Sequence, residues 1–255
     1  MTKEISKEAL FEYTLRLGDN ALILGQRLSE LCGHGPELEE DIALTNVALD
    51  FIGQARELLT YAGEVEGKGR TEDDLAFLRE ERAYKNALLT EQPNDDFAYT
   101  IARQFIIDAF NLELYTALTA SSDAQLAAIA EKSLKEVKYH FRHSAEWVIR
   151  LGDGTDLSHG KIQTAFDDLW MFTGELFTPD AIDQAAREAG VGADLAKVKA
   201  AWSKHLDEVL TEATLKRPVD GWMQSGGKTG RHTEHMGHLL SELQYMQRAY
   251  PGCSW

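Results

Sequence analysis

The chain has 255 residues, with 26 Lys plus Arg against 42 Asp plus Glu, a formal net charge of −16. That balance argues against nucleic acid or an anionic membrane as a partner, because phosphate binding depends on clustered Lys and Arg; the 44% hydrophobic content is too high for a disordered chain. The two cysteines, Cys32 and Cys253, form neither a disulfide framework nor a metal spacing, which fits a reducing cytoplasm.

The opening residues carry no apolar core of an export signal, and no apolar run approaches the ~18–20 residues of a membrane span. A first long helix is predicted over 7–31, where Leu10, Thr14, Leu17, Ala21, Leu24, Leu28 and Leu31 recur at alternating steps of four and three. That seam suits packing against another helix. A second is predicted over 37–64. Its seam is Leu38, Ile42, Thr45, Leu49 and Ile52, and a second apolar face carries Leu44, Phe51, Ala55 and Leu58. A helix apolar on two sides is expected to be central. A glycine- and charge-rich link over 63–69 leads to a shorter helix near 73–85.

Helices over 96–120 and 123–151 follow, joined only by Ser121-Ser122, so they are expected to be antiparallel neighbours. Gly152-Asp153-Gly154 stops the second. Weaker helices are predicted over 161–176, 179–188, 194–215 and 233–250. No alternation of β-branched residues marks a strand. No composition break divides the chain, so a single domain over 1–255 is expected. Four long helices of ~36–44 Å with shorter ones around them read as all-α, a ferritin-like four-helix bundle with additional shorter helices.

Such bundles can hold two metal ions with one Glu from each of two helices and Glu-x-x-His from each of the others. Pieces of that set are present. Asp108 takes a seam position among Ile101, Phe105, Leu112 and Tyr115, where an unpaired charge is costly, and reads either as an inward ligand or as an inward ion-pair partner. Asp19 lies in the row Phe11, Leu15, Leu22. It is either a ligand or an ion-pair partner of a nearby Arg. Asp50 belongs to a polar stripe with Asn46, Gln54 and Glu57, which also reads as a solvated face. Glu136 and His140 share a side of the fourth long helix, and His140 also reads as a hydrogen-bonded core histidine. The spacing argues against a working iron site. Gly53 stands in the histidine slot after Asp50, and Tyr139 in the slot after Glu136. Shifting the register onto His140 makes Val137 its carboxylate position. These four acids and one imidazole are therefore read as vestigial di-iron-like positions, with no metal expected in this chain.

The segment Gly226-Gly-Lys-Thr-Gly-Arg-His-Thr-Glu-His235 is no phosphate loop, because Trp222 replaces the required first glycine and no strand precedes it. His232, Glu234, His235 and His238 lack the zincin spacing. A helix-capping loop is the better reading, with Lys228 and Arg231 as a possible contact for a carboxylate or phosphate on a partner. No motif singles out a nucleophilic residue.

Several strings are specific enough to identify a family. Tyr13 to Asn20 (YTLRLGDN), Leu49 to Arg56 (LDFIGQAR), Glu91-Gln-Pro-Asn94, Tyr139-His-Phe-Arg-His143 through Leu151-Gly-Asp-Gly-Thr155, and the tail from Gly226 to Tyr245 resemble the C-subunit family of bacterial ring-1,2-phenylacetyl-CoA epoxidases. The likeness covers almost the whole chain. It implies a multicomponent monooxygenase of phenylacetate catabolism that uses O2 and reducing equivalents from NADPH. In such a complex a ferritin-like A subunit holds the di-iron centre and the CoA thioester, and a reductase carries FAD and iron–sulfur. The resemblance implies a protein that has no cofactor, catalyses nothing itself, and scaffolds the A subunit within the larger complex. The alternatives are a di-iron oxidase or ferritin-like protein with an unusual ligand set, and an acyl-CoA module using Lys228 and Arg231.

Overall fold

The computed structural model describes residues 4–253; residues 1–3, part of the stretch read for an export signal, and residues 254–255 lie outside them. Every regular element among the described residues is helical, as the sequence pattern requires. The chain packs as two compact units. One is Pro93–Ser225; the other joins Glu4–Gln92 to the segment 226–253.

In the unit built from both ends of the chain, α1 (Lys7–Ser29) starts at Ser6, whose hydroxyl accepts from Ala9 N at 3.2 Å. That bond satisfies one of the helix's orphan donors. The α1 seam runs buried from Thr14 to Leu28 against α2 (Leu38–Glu66), which contributes Leu44, Val47, Phe51 and Leu58. Gly18 permits that approach, since a Cβ there would lie 2.7 Å from Leu59 Cδ2. Only the Phe51 face of α2 is buried. Leu38, Ile42, Leu49 and Ile52 are 69%, 53%, 63% and 36% exposed. The expectation of a central α2 is thus corrected: within its unit the chain supplies α1 and a short α3 (Glu72–Phe77), which dress one side of it.

The helix expected over 73–85 ends at Leu78. A capping box between Thr71 and Asp74 starts α3, and the chain then turns Arg79 into the interior, where its guanidinium bonds Ala83 O at 2.9 Å. The helix expected over 233–250 divides at Gln244 into α9 and α10 in the chain's numbering, Glu234–Leu243 and Tyr245–Ala249. Gln244 is itself buried, donating to Arg79 O and to the Tyr84 hydroxyl at 3.0 and 2.6 Å.

The other unit is built around α4 (Phe97–Leu118), which begins at Asp96 capping Tyr99 N at 2.9 Å. Every residue from Thr100 to Phe110 is buried, so no face of this stretch is exposed. That is the pattern of a helix enclosed all round, and α4 packs on α5 (Ala124–Gly152), α6 (Asp156–Leu169) and α8 (Leu195–Glu212). Within this unit α4 is the central helix. The short turn makes α4 and α5 a hairpin, and Ser122 N bonds Gly190 O at 2.9 Å beyond α7 (Ala181–Glu188). The helix expected over 161–176 begins earlier, where Thr155 caps it, and breaks into 3₁₀ turns at Trp170. Trp202 of α8 closes this core. It stacks near Trp170 and donates from Nε1 to Ile106 O at 3.0 Å.

Candidate functional site

Among the described residues three acidic side chains, Asp19, Glu91 and Asp108, have no exposure at all, and each is answered differently. Asp108 lies on α4 with no exposure. Gln104, one turn earlier, donates from Nε2 to Oδ1 at 2.6 Å, and Ser144 of α5 donates from Oγ to Oδ2 at 2.8 Å. Both of these donors are neutral. Burial pushes the carboxyl up to about 6, while the field of His140 and the two hydrogen bonds hold it back from rising further. His140 is buried on α5 near this acid; Glu136 is half-buried, outside the enclosed row Ser133, Val137, His140, Ser144.

Asp19 of α1 is equally enclosed but meets a cation. Arg79 grips it with both terminal nitrogens, Nη1 to Oδ2 at 3.0 Å and Nη2 to Oδ1. The backbone N–H of Lys85 donates to Oδ2 at 2.8 Å. The guanidinium lies 4.1 Å from the Tyr84 ring centroid. Burial opposes the Arg79 charge, and Asp19 more than offsets that, so its pKa is raised. Burial pushes the Tyr84 hydroxyl up to about 12. The ion-pair reading of Asp19 is the one the structure supports, and Arg79 is the partner that no local pattern could reveal. Asp50 sits half-buried on α2.

The third carboxylate, Glu91, stands out in the sequence only as a neighbour of a proline turn. It is fully buried. Its Oε2 receives His232 Nδ1 at 2.8 Å and Asn86 Nδ2 at 3.1 Å, and its Oε1 receives the backbone N–H of Thr233 at 2.6 Å. Arg27 reaches the Glu91 carbonyl at 2.9 and 3.0 Å. Burial lowers the His232 pKa and the Glu91 carboxylate more than reverses it, leaving it raised. The capping-loop reading of this segment holds, with Glu91 supplying the carboxylate at the start of α9. Gly230 has φ +75°, and a Cβ there would run into Arg82 O, so only glycine fits. Lys228 is half-buried in the 3₁₀ turn Gly227–Thr229, and Arg231 is exposed. The one sequence signal for Glu91 is its setting, a charged residue between the apolar pair Leu88-Leu89 and the turn at Pro93.

The whole chain, residues 1–255, matches the family described as phenylacetic acid catabolic protein. The chain belongs to that family. Over 246 residues it is 53% identical to the C subunit of the 1,2-phenylacetyl-CoA epoxidase of Escherichia coli (strain K12), covering 96% of this chain and 99% of that protein. The resemblance read from the sequence strings is thereby borne out, and with it the all-α, ferritin-like class of the phenylacetic acid catabolic proteins.

A ferritin-like member raises the question of iron, and the donors present do not fit it. Asp19 is saturated by a guanidinium and an amide, and Asp108 is held by an amide and a hydroxyl. Among the described residues no group of three or more His, Cys, Asp or Glu is placed to hold a metal ion. The histidine slots need correction. Gly53 is exposed and Tyr139 is 40% exposed, so the register that starts at Asp50 and Glu136 does not face inward on either helix. The inward rows run instead through Phe51 and Gln54, and through Val137 and His140, because the apolar residues on those rows set the rotation of each helix. Among the described residues no helix is long and apolar enough to cross a membrane.

Proposed function

We propose that this chain is a non-catalytic structural subunit of a phenylacetyl-CoA 1,2-epoxidase in aerobic phenylacetate degradation, acting in the cytoplasm as a scaffold for a di-iron catalytic A subunit. The observation that carries the reading is the bidentate Asp19–Arg79 pair: the most enclosed acid of α1 is neutralised by a resident guanidinium. A carboxylate held this way is committed to structure, since replacing its partner with a metal would strand a buried cation. The similarity to the C subunit of an epoxidase, over nearly the full length of both chains, supports the assembly. On this reading di-iron belongs to the A subunit, and NADPH, FAD and iron–sulfur to the reductase. Binding contributes by mass action, since a partner that recognises only the folded A subunit stabilises that state.

Co-expression with the A subunit tests the proposal. The expected result is a stable complex whose iron content tracks the A subunit, with none retained by this chain purified alone from iron-supplemented medium. Stoichiometric iron with an oxo-bridge absorption in the isolated chain overturns it and favours the di-iron alternative.

A further inference from the structure

Helix α2 carries an apolar seam that its own chain leaves largely exposed, with Ile52 reaching back to Gly25 of α1. Leu38, Ile42, Thr45, Leu49 and Ile52 repeat at steps of four and three, the spacing of a helix–helix contact line. The seam is about 21 Å long at 1.5 Å per residue. Its four large side chains are all exposed, Leu38, Ile42 and Leu49 by more than half. Arg56, paired with Glu72 at 3.6 Å, closes its C-terminal end.

Two further features say what covers it. The first is Gly53, exposed in the middle of α2 beside Leu49 and Ile52. A Cβ there would meet nothing within 4 Å, in contrast to Gly18 on α1 and Gly63 on α2, where the chain's own atoms forbid one. An interior helix glycine is destabilising relative to alanine, and here no internal contact demands it. A glycine in that setting suits the close approach of a second backbone. The second is charge. At 100° per residue, Glu39, Asn46, Asp50 and Glu57 fall along one flank of the seam; the opposite flank carries Asp41, whose carboxylate is engaged by the backbone N–H groups of Gly33 and Gly35, and turns through Ala48 and Ala55 into the core against α1. An acidic flank disfavours a second copy, which would bring its own acidic flank and a net charge of −16.

We propose that this seam of α2 docks a helix of the partner protein in the complex, one that presents an apolar ridge with Lys or Arg along a single flank and crosses closest at Gly53. The inference rests on the reading of the chain as a subunit and names the surface that makes it one.

The test is co-purification of the full chain with co-expressed epoxidase subunits, comparing wild type, Leu49→Glu, Gly53→Ala and Glu39→Lys, with helicity and melting temperature recorded for each chain alone. Leu49→Glu is expected to keep its helicity and retain less than about a tenth of the partner. Gly53→Ala is expected to move two readouts in opposite directions: its melting temperature rises by about 2–4 °C, while partner retention falls several-fold. Glu39→Lys is expected to weaken the complex at low salt and much less at high salt. The wild-type chain alone is expected to sediment as a monomer. Equal retention by wild type and Leu49→Glu overturns the seam and leaves the subunit reading intact. A dimer of the isolated chain that Leu49→Glu dissolves overturns it by naming a second copy as the occupant. Failure of the wild type to retain any epoxidase subunit overturns the subunit reading, and the seam with it.

Discussion

The two units each bury an aspartate in a long helix, and they treat it in opposite ways. In the unit containing α1, Asp19 is answered by a full positive charge delivered from a chain segment 60 residues away. In the unit containing α4, Asp108 is answered by Gln104 and Ser144, both uncharged. The first acid is part of an ion pair that fixes the turn after α3 in place. The second is poorly compensated, and its carboxyl rises to about 6. A buried carboxylate in a helix seam thus says little by itself. What decides its state is whether the fold spends an arginine on it.

The largest effect should come from breaking the compensated case. Arg79→Met leaves Asp19 enclosed without a cation and should cost about 3–5 kcal/mol in urea unfolding at pH 7. Adding Asp19→Asn to that variant should recover most of the loss; no recovery would mean that Arg79 matters through Tyr84 and the carbonyls instead. The uncompensated case should behave in the opposite sense. A carboxyl raised from 3.8 to about 6 favours the protonated form in the folded state. Its contribution is fully present below about pH 3.8 and lost as pH climbs through about 6. The stability advantage of Asp108→Asn, which mimics the protonated acid, should therefore grow by about 2 kcal/mol over wild type between pH 4.5 and pH 8. A stability gap independent of pH would contradict the assignment.

Glu91 is the intermediate case, because its partner His232 carries charge only over part of the pH range. The His232 pKa is raised. The stabilisation is therefore present below about pH 6.5 and lost as pH rises through the higher folded-state value. His232→Gln should cost about 1–2 kcal/mol at pH 6 and distinctly less at pH 9. Amide exchange in α9 is the finer readout, with protection falling on the alkaline side in wild type and staying flat in the variant.

The helices were legible because their determinants are local. Ser6, Asp96 and Asp123 all cap the helices that begin beside them, and the α1 seam is buried as its spacing requires. The rotation of α2 and α5 was harder. Both carry apolar residues on more than one face, and a carboxylate three positions before a glycine or tyrosine could be aligned with a ligand motif that the packing does not honour. Arg79 was invisible for a different reason. It sits in a charged stretch, Arg79-Glu80-Glu81-Arg82, where each residue reads as solvated, and only the ending of α3 at Leu78 turns it inward. Glu91 and His232 pair across 141 residues, a separation that no periodicity encodes.

That last separation has a bearing on how the protein is made. The unit Pro93–Ser225 is contiguous in sequence, whereas the unit begun at Glu4 lacks His232, Gln244 and Arg248 until the segment that follows Ser225 has been made. At roughly 10 residues per second, about 14 s pass between the emergence of Glu91 and that of its histidine. During that interval Glu91 and the Tyr84 hydroxyl lack the donors that the segment after Ser225 brings, so the buried acid of this unit acquires its partners only when that segment docks.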